Sequence, residues 1–308
     1  MAQTFIHGAS VRHTACSTPL HVERDFLVSA GVGDSITCSQ CGMKLNSWDL
    51  LLDGLRDRSD LWHGVGFAGG QTIMIVETIQ RNESFRLQLE PYGVSEQARL
   101  IRVSSTPQPL PGGVQTPGIP FVMTLIHQNY GAPLAGNELF FWPAEITTQE
   151  ATAWSHCEVA FHVVWSEQSP TDDPWQLLRS ALTAYADVDY VRAILDAVNA
   201  VDWISSAALL PILETEGYKP GRALGSIVDR VAFGNAFARA HGASVLCPRI
   251  LTLMQKLNAA RNREGIAHPG SFNRSADEVA ELLAAALVAT AYFEDFSNLI
   301  PDLRVATS

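Results

Sequence analysis

The stretch from Ser275 to Phe293 limits the possible folds of this chain more than any other. Ser275 and Glu278 make an S-x-x-E capping box, and Val279, Leu282, Leu283, Ala286 and Phe293 follow. The middle of the segment, L-L-A-A-A-L-V-A, is apolar almost all round. A helix with one apolar stripe can lie on a surface, but one apolar on every side must be covered on more than one. The alanines allow close approach, as a bundle core or a dimer seam would want. The apolar run from Leu282 to Phe293 is too short and too alanine-rich to span a bilayer.

The preceding residues supply the elements such a helix needs. Asp173 is a good N-cap, with Pro174 in the first turn and Gln176 at the capping-box position, and the helix runs to about Ala186. Val191, Ile194, Leu195 and Val198 have helical spacing in a second helix that starts at Tyr190 and extends through Asp202 and Trp203. A third, Leu209 to Glu216, is closed by Gly217, and a fourth, Leu224 to Ala240, by Gly242. Cys247-Pro248 opens a fifth, whose core stripe is Ile250, Leu253, Met254 and Leu257.

That fifth helix leads into L-N-A-A-R-N-R-E-G-I-A-H-P-G, residues 257–270. Arg261 lies one turn beyond Leu257 and so leaves from the end of the buried ridge, where a charge usually has a partner. Seven residues on, His268 would share its face in a continuous helix, which Gly265 interrupts. Arginine and histidine together suffice for metal-free phosphodiester cleavage. The imidazole moves the proton of an attacking ribose hydroxyl near neutral pH, and the guanidinium stabilises the charge growing on the phosphate. Arg263 is a second candidate for the arginine. A snorkelling arginine at a helix end, suited to the dipole, satisfies the same pattern without chemistry.

An arginine followed by Asn, a short spacer and a histidine, at the end of a helix in an all-α C-terminal region, resembles HEPN domains. The resemblance covers roughly the last two fifths of the chain. It implies a metal-independent endoribonuclease of a prokaryotic defence or toxin type that leaves 2′,3′-cyclic phosphate ends. In that reading His268 is the general acid or base, Arg261 stabilises the transition state and Asn262 positions the phosphate, with Arg263 and Asp202 auxiliary. Asn199 is the alternative to Asp202 as the polar residue on an early helix. The resemblance also implies a homodimer with a composite site and RNA, tRNA included, as substrate. Some relatives only bind, so the second reading is a non-catalytic RNA-, nucleotide- or partner-binding sensor that uses the helices to dimerise.

Near the start, His13 and Cys16 form H-x-x-C, and Cys38 and Cys41 form C-x-x-C followed by Gly42. Each spacing lets a tight turn present two ligands to one tetrahedral Zn²⁺, and Gly42 stands where such a knuckle needs a positive φ. The pattern is similar to a zinc ribbon, with short strands expected at Leu20–Val22 and Asp25–Val28 and with Ile36-Thr37 leading into the second pair. His7 and His21 compete with His13 for the fourth position, and no βαβ pattern supports a redox C-x-x-C. Four protein ligands would close the site, so the zinc is expected to be structural, and none is needed for catalysis. A zinc enzyme is the weaker third reading. Cys157 and Cys247 stand alone as small hydrophobes.

Between these regions the sequence alternates as strands do. Candidates are Thr72–Val76, Ser84–Leu89, Leu100–Val103, Phe121–Ile126, Leu139–Trp142 and Val159–Trp165, the last with Val159, Phe161, Val163 and Trp165 on one face. An antiparallel sandwich or barrel is expected, carrying no catalytic motif. Its expected work is recognition of a phage-derived or cellular trigger, or docking. A hairpin turn accounts for His127-Gln128-Asn129, and His156 and His162 lack ligand spacing.

The whole reads as multidomain α+β: a zinc-ribbon-like segment over residues 1–55, an antiparallel β domain over 56–168 and a HEPN-like helical domain over 169–308. With 47% hydrophobic and 17% charged residues the chain is an ordered globular one, and a net charge of −11 argues against broad nucleic-acid coating. Arg249, Lys256, Arg261, Arg263 and Arg274 nevertheless cluster around the motif. The N-terminus has no signal-peptide core, and the five cysteines suit a reducing compartment, so a cytoplasmic address without membrane attachment is expected.

Overall fold

The computed structural model describes residues 5–7, 10–13, 16, 18–21, 24–56, 67–68, 70–80, 83–95, 98–107, 123–125, 138–143, 156–166, 174–215, 224–265 and 273–300. The chain is mixed helix and strand, with the long helices in its C-terminal half. It divides into two compact units, Met1–Gly8 with Gly70–Thr171, and Ala9–Gly69 with Asp172–Ser308. The boundary expected at 168/169 lies near the third crossing, at 171/172. Residues 9–55, expected to stand apart, instead group with the helices, because their own two helices pack there.

The first unit contains β1 (Phe5–His7), β6 (Gln71–Gln80), β7 (Phe85–Gln88), β8 (Arg99–Pro107), β9 (Met123–Leu125), β10 (Glu138–Pro143) and β11 (His156–Ser166). One sheet has the order β1-β6-β11-β8 and the other β7-β10-β9, and every pairing is antiparallel. All six strands expected between residues 72 and 165 are present in whole or part. Val159, Phe161, Val163 and Trp165 of β11 meet Ile73, Ile75, Leu87, Leu139 and Phe141 in one core fed by both sheets. Phe161 stacks on Phe85 at 5.5 Å and lies 4.7 Å from Phe141. Ala160 and Val164, on the other face of β11, are buried as well.

The second unit begins with the hairpin of β2 (Ser10–His13) and β3 (Thr18–His21), then α1 (Arg24–Val32), the hairpin of β4 (Ser35–Thr37) and β5 (Lys44–Asn46), and α2 (Ser47–Arg56). The strand expected at Asp25–Val28 is a helical turn of α1. Phe26, Leu27 and Ala30 are buried at helical spacing, which a strand would have split between two faces. The remaining helices are α3 (Pro174–Ala186), α4 (Tyr190–Thr215), α5 (Ile227–Ala240), α6 (Pro248–Ala259), α7 (Ala276–Glu294) and α8 (Phe296–Leu299).

Helix α7 is the axis of this unit. Every residue from Leu282 to Phe293 is buried, and α1, α2, α3, α4 and α6 all pack against it. The approach of α1 is close enough to require a glycine, since a Cβ on Gly31 would sit 2.4 Å from Val288 Cγ1. The alanines therefore serve the bundle core within one chain rather than a dimer seam.

Helix α4 is continuous where the sequence suggests two separate helices, and it runs through Pro211. Val201, Ser205, Leu209, Ile212 and Leu213 are buried in succession along it, and this burial outweighs the one backbone hydrogen bond the proline removes. By length and composition alone α4 could cross a membrane, although it packs against α3, α5 and α7.

Candidate functional site

Two hairpin turns bring three thiols together. Cys16 lies in the β2–β3 turn, and Cys38 and Cys41 lie in the β4–β5 turn. The second turn is a knuckle: Cys38 N–H donates to Met43 O at 2.9 Å, Gly42 N–H donates to Cys38 O at 2.9 Å, and Gly42 takes a φ of 72°. That φ is the left-handed conformation expected from the C-x-x-C-G pattern, and it turns both sulfurs to one side.

The three Sγ atoms lie within 4.8 Å of one another, and Cys16 Sγ is 3.8 Å from Cys38 Sγ. Sulfurs ~2.3 Å from one tetrahedral zinc are separated by about 3.8 Å, so the spacing fits shared coordination and is far too long for a disulfide. A hydrogen bond from the Met43 backbone lowers the Cys41 pKa. Burial and the adjoining Cys38 and Cys16 thiols outweigh it, and the group lies above its ordinary value. Three adjoining thiols are a donor set that suits a soft-accepting cation such as Zn²⁺. Cys38 is buried, Cys16 half-buried and Cys41 exposed. His13, the expected fourth ligand, ends β2 opposite Thr18, and its side chain lies outside the described residues.

The second candidate region is the end of α6. Beyond Ala259 the backbone widens into a π-helical turn, Ala260–Gly265, which carries A-R-N-R-E-G and packs against α4. Ala260 is buried, Arg261 half-buried and Asn262 exposed, so the core ridge ends where the motif begins. Arg261 Nε donates to Asn262 Oδ1 at 3.0 Å. A π turn shifts the register of the residues after it and often marks a functional position. His268 and the Arg263 side chain lie outside the described residues, as does the loop expected to fold the histidine back.

Asp202 on α4 is committed to Arg230 on α5 through an ion pair. The guanidinium of Arg230 also donates to Ser205 Oγ at 3.0 Å and Leu224 O at 2.7 Å. This arginine is buried with all three sides of its fork occupied, and no described hydrogen bond or ion pair links Asp202 to Arg261 or Asn262. Asn199, Asp202, Trp203, Ser206 and Leu210 line an open depression of about 570 Å³ beside Leu177, with Trp203 38% and Leu210 41% exposed.

Sequence reasoning missed Arg230, and it also missed how α6 is anchored at its start. Asn235 exchanges two 2.9 Å hydrogen bonds with the Leu246 backbone, Tyr292 Oη donates to Ser244 O, and Cys247 N–H donates to Gly31 O. Burial holds the Tyr292 phenol neutral, pushing its pKa up to about 12. Nothing in one sequence signals partners this remote; only the polar identity of a residue on an otherwise buried helix face hints at them. Comparison of the chain with protein-family models, with curated proteins and with solved structures finds no match.

Proposed function

We propose that the helical unit is a HEPN-like bundle acting as a metal-independent endoribonuclease of a prokaryotic defence or toxin type. The observation that carries this reading is the Arg261–Asn262 pair on a π turn, at the point where a core helix reaches solvent. In the proposed reaction His268 moves the proton of the ribose 2′-hydroxyl or of the leaving oxygen. Arg261 holds the phosphate oxygens as charge builds, and Asn262, already bonded to the guanidinium, orients it. Arg263 remains the alternative arginine. Two copies pairing would line one cleft with both motifs, and RNA, tRNA included, would be the substrate in a reducing cytoplasm.

In the same proposal Cys16, Cys38 and Cys41 hold a structural Zn²⁺, with His13 completing a ribbon-like site. The supporting observation is the tetrahedral-edge distance between two of the sulfurs. The β unit, with two antiparallel sheets sharing a core as sandwiches do, would recognise the trigger.

The test incubates wild type and His268→Ala as purified, with total RNA and tRNA, in buffer without added divalent ions. Cleavage by wild type, leaving cyclic phosphate ends and reduced by about 10²-fold or more in the variant, is the expected result. Equal cleavage by both proteins, or by neither, would overturn it. A second reading, an RNA- or partner-binding sensor, is favoured by the net charge of −11 and by Gly265, which interrupts the motif between Arg261 and His268. It predicts RNA retention weakened by Arg261→Ala without any strand scission.

A further inference from the structure

The thiol knuckle is continuous with the elements that fix the start of α6. Residue Asn46 ends β5 and Ser47 begins α2, so no linker separates the Cys38–Cys41 turn from that helix. Asn46 Oδ1 accepts from Asp49 N–H at 3.1 Å, and Ser47 N–H donates to Asp34 O across the hairpin base. Helix α2 then buries Trp48, Leu50, Leu51, Leu52 and Leu55 and packs on α1, β2 and α7.

Four contacts pass from residues 24–56 to α6 and α7. Arg249, in the first turn of α6, places its Cζ 4.9 Å from the centre of the Trp48 ring. The same guanidinium reaches Glu281 of α7 at 3.3 Å, and Arg56 of α2 reaches Asp277 at 3.4 Å and Glu281 at 4.0 Å. Cys247 N–H, the first donor of α6, is satisfied by Gly31 O of α1 at 2.8 Å rather than by its own helix. Trp48 is buried with no described hydrogen-bond partner for its indole N–H, and Arg249 lies over the face of its ring. Exposed ion pairs alone would contribute little here. The weight rests on the backbone bond from Cys247 to Gly31 and on the cation–π stack.

We infer that the three-thiol site is a clamp on α6. Metal loading at Cys16, Cys38 and Cys41 fixes α1 and α2, and through Gly31, Trp48 and Arg249 these fix the helix whose far end carries Arg261 and Asn262. The inference rests on the zinc reading above and extends it. The N-terminal segment is not a separate recognition module but a positioning element of the helical unit, and Trp48 and Arg249 are positioning residues.

The experiment uses the full chain, as purified and after chelation, and reads two independent quantities. Cobalt(II) substituted into the metal-free protein reports thiolate coordination by its charge-transfer absorption, and amide hydrogen exchange reports local opening. Chelation is expected to raise exchange in residues 248–259 by about 10-fold or more, along with residues 24–56, while β6 and β11 change little. Exchange increased only in residues 35–46 would overturn the clamp and leave the zinc reading standing. Absence of the cobalt signal would overturn both. Because Cys38→Ser carries a risk of failing to fold, Arg249→Ala supplies the second arm. It should keep the cobalt spectrum and still raise exchange in residues 248–259, and Arg249→Lys should recover part of the protection. Exchange in Arg249→Ala matching wild type would overturn the inference.

Discussion

At the residue scale the helical unit depends on a few buried polar groups that do backbone work. Asn235 is the clearest. Its amide donates to Leu246 O and its carbonyl accepts from Leu246 N–H, both at 2.9 Å, so one side chain pairs with an extended segment as a strand would. Removing it leaves a buried donor and a buried acceptor unsatisfied at once, and each such group costs roughly 1–3 kcal/mol. Asn235→Ala should therefore destabilise the unit by about 2–3 kcal/mol, read as a lower denaturant midpoint at unchanged slope. Asn235→Asp should recover only the bond its carboxylate can accept. A variant within about 0.5 kcal/mol of wild type would show that the segment before α6 is held by other contacts. Legibility at this scale is uneven. The Gly42 turn and the cysteine spacing are local, and the sequence carries them. Arg230, Asn235 and Trp48 find their partners many residues away, and their letters alone say only that something must satisfy them.

At the element scale the chain is most legible where cap and core signals agree. Ser275 and Glu278 form the reciprocal box, with Glu278 N–H donating to Ser275 Oγ at 3.2 Å and Ser275 N–H donating to Glu278 Oε2 at 2.9 Å. The apolar girth of α7 is buried all round, so local and tertiary preferences point the same way. Helix α1 shows the opposite case: a three-residue apolar run, Phe26-Leu27-Val28, does not distinguish strand from helix, and the surface it meets decides. The cap also gives a pH dependence. The Ser275 backbone N–H is the main cause holding the Glu278 carboxyl below its usual range, aided by the Ser275 hydroxyl, Arg274 and Lys256 and opposed by slight burial. A depressed folded value contributes stability above the unfolded pKa of about 4.3, and that contribution is lost as pH falls through the folded value. Ser275→Ala should cost ~1 kcal/mol at pH 7. The gap in melting temperature between wild type and Glu278→Gln should narrow as pH drops from 6 towards 3 (roughly the window set by these pKa values). A gap that stays constant with pH would mean the carboxylate charge contributes nothing to the cap.

At the scale of the whole molecule the chain is threaded between its two units more than once. Residues up to Gly8 belong with the β unit, residues 9–69 with the helices, and the β unit resumes at Gly70 and ends at Thr171. No composition shift marks the first crossing, since a three-residue strand leaves little trace in a sequence. The alternation from Thr72 onward is legible because each strand announces itself, whereas β1 is recognisable only beside its partner. Phe5, Ile6 and His7 pair with Met74, Ile73 and Thr72 and so cover part of the outer edge of β6, a strand running from Gln71 to Gln80. On its other side β6 pairs with β11 along its full length. Removing residues 1–8 should therefore lengthen the exposed edge of β6, an apolar, β-branched sequence of the kind that templates association. Light scattering on heating should rise earlier in the truncated protein than in the full chain, while cobalt(II) binding at the thiols, which belong to the other unit, stays unchanged. Earlier scattering together with loss of the cobalt signal would instead show that residues 1–8 serve the metal-binding hairpins. Unchanged scattering would show that three pairs at this edge contribute nothing to keeping the sheet from associating.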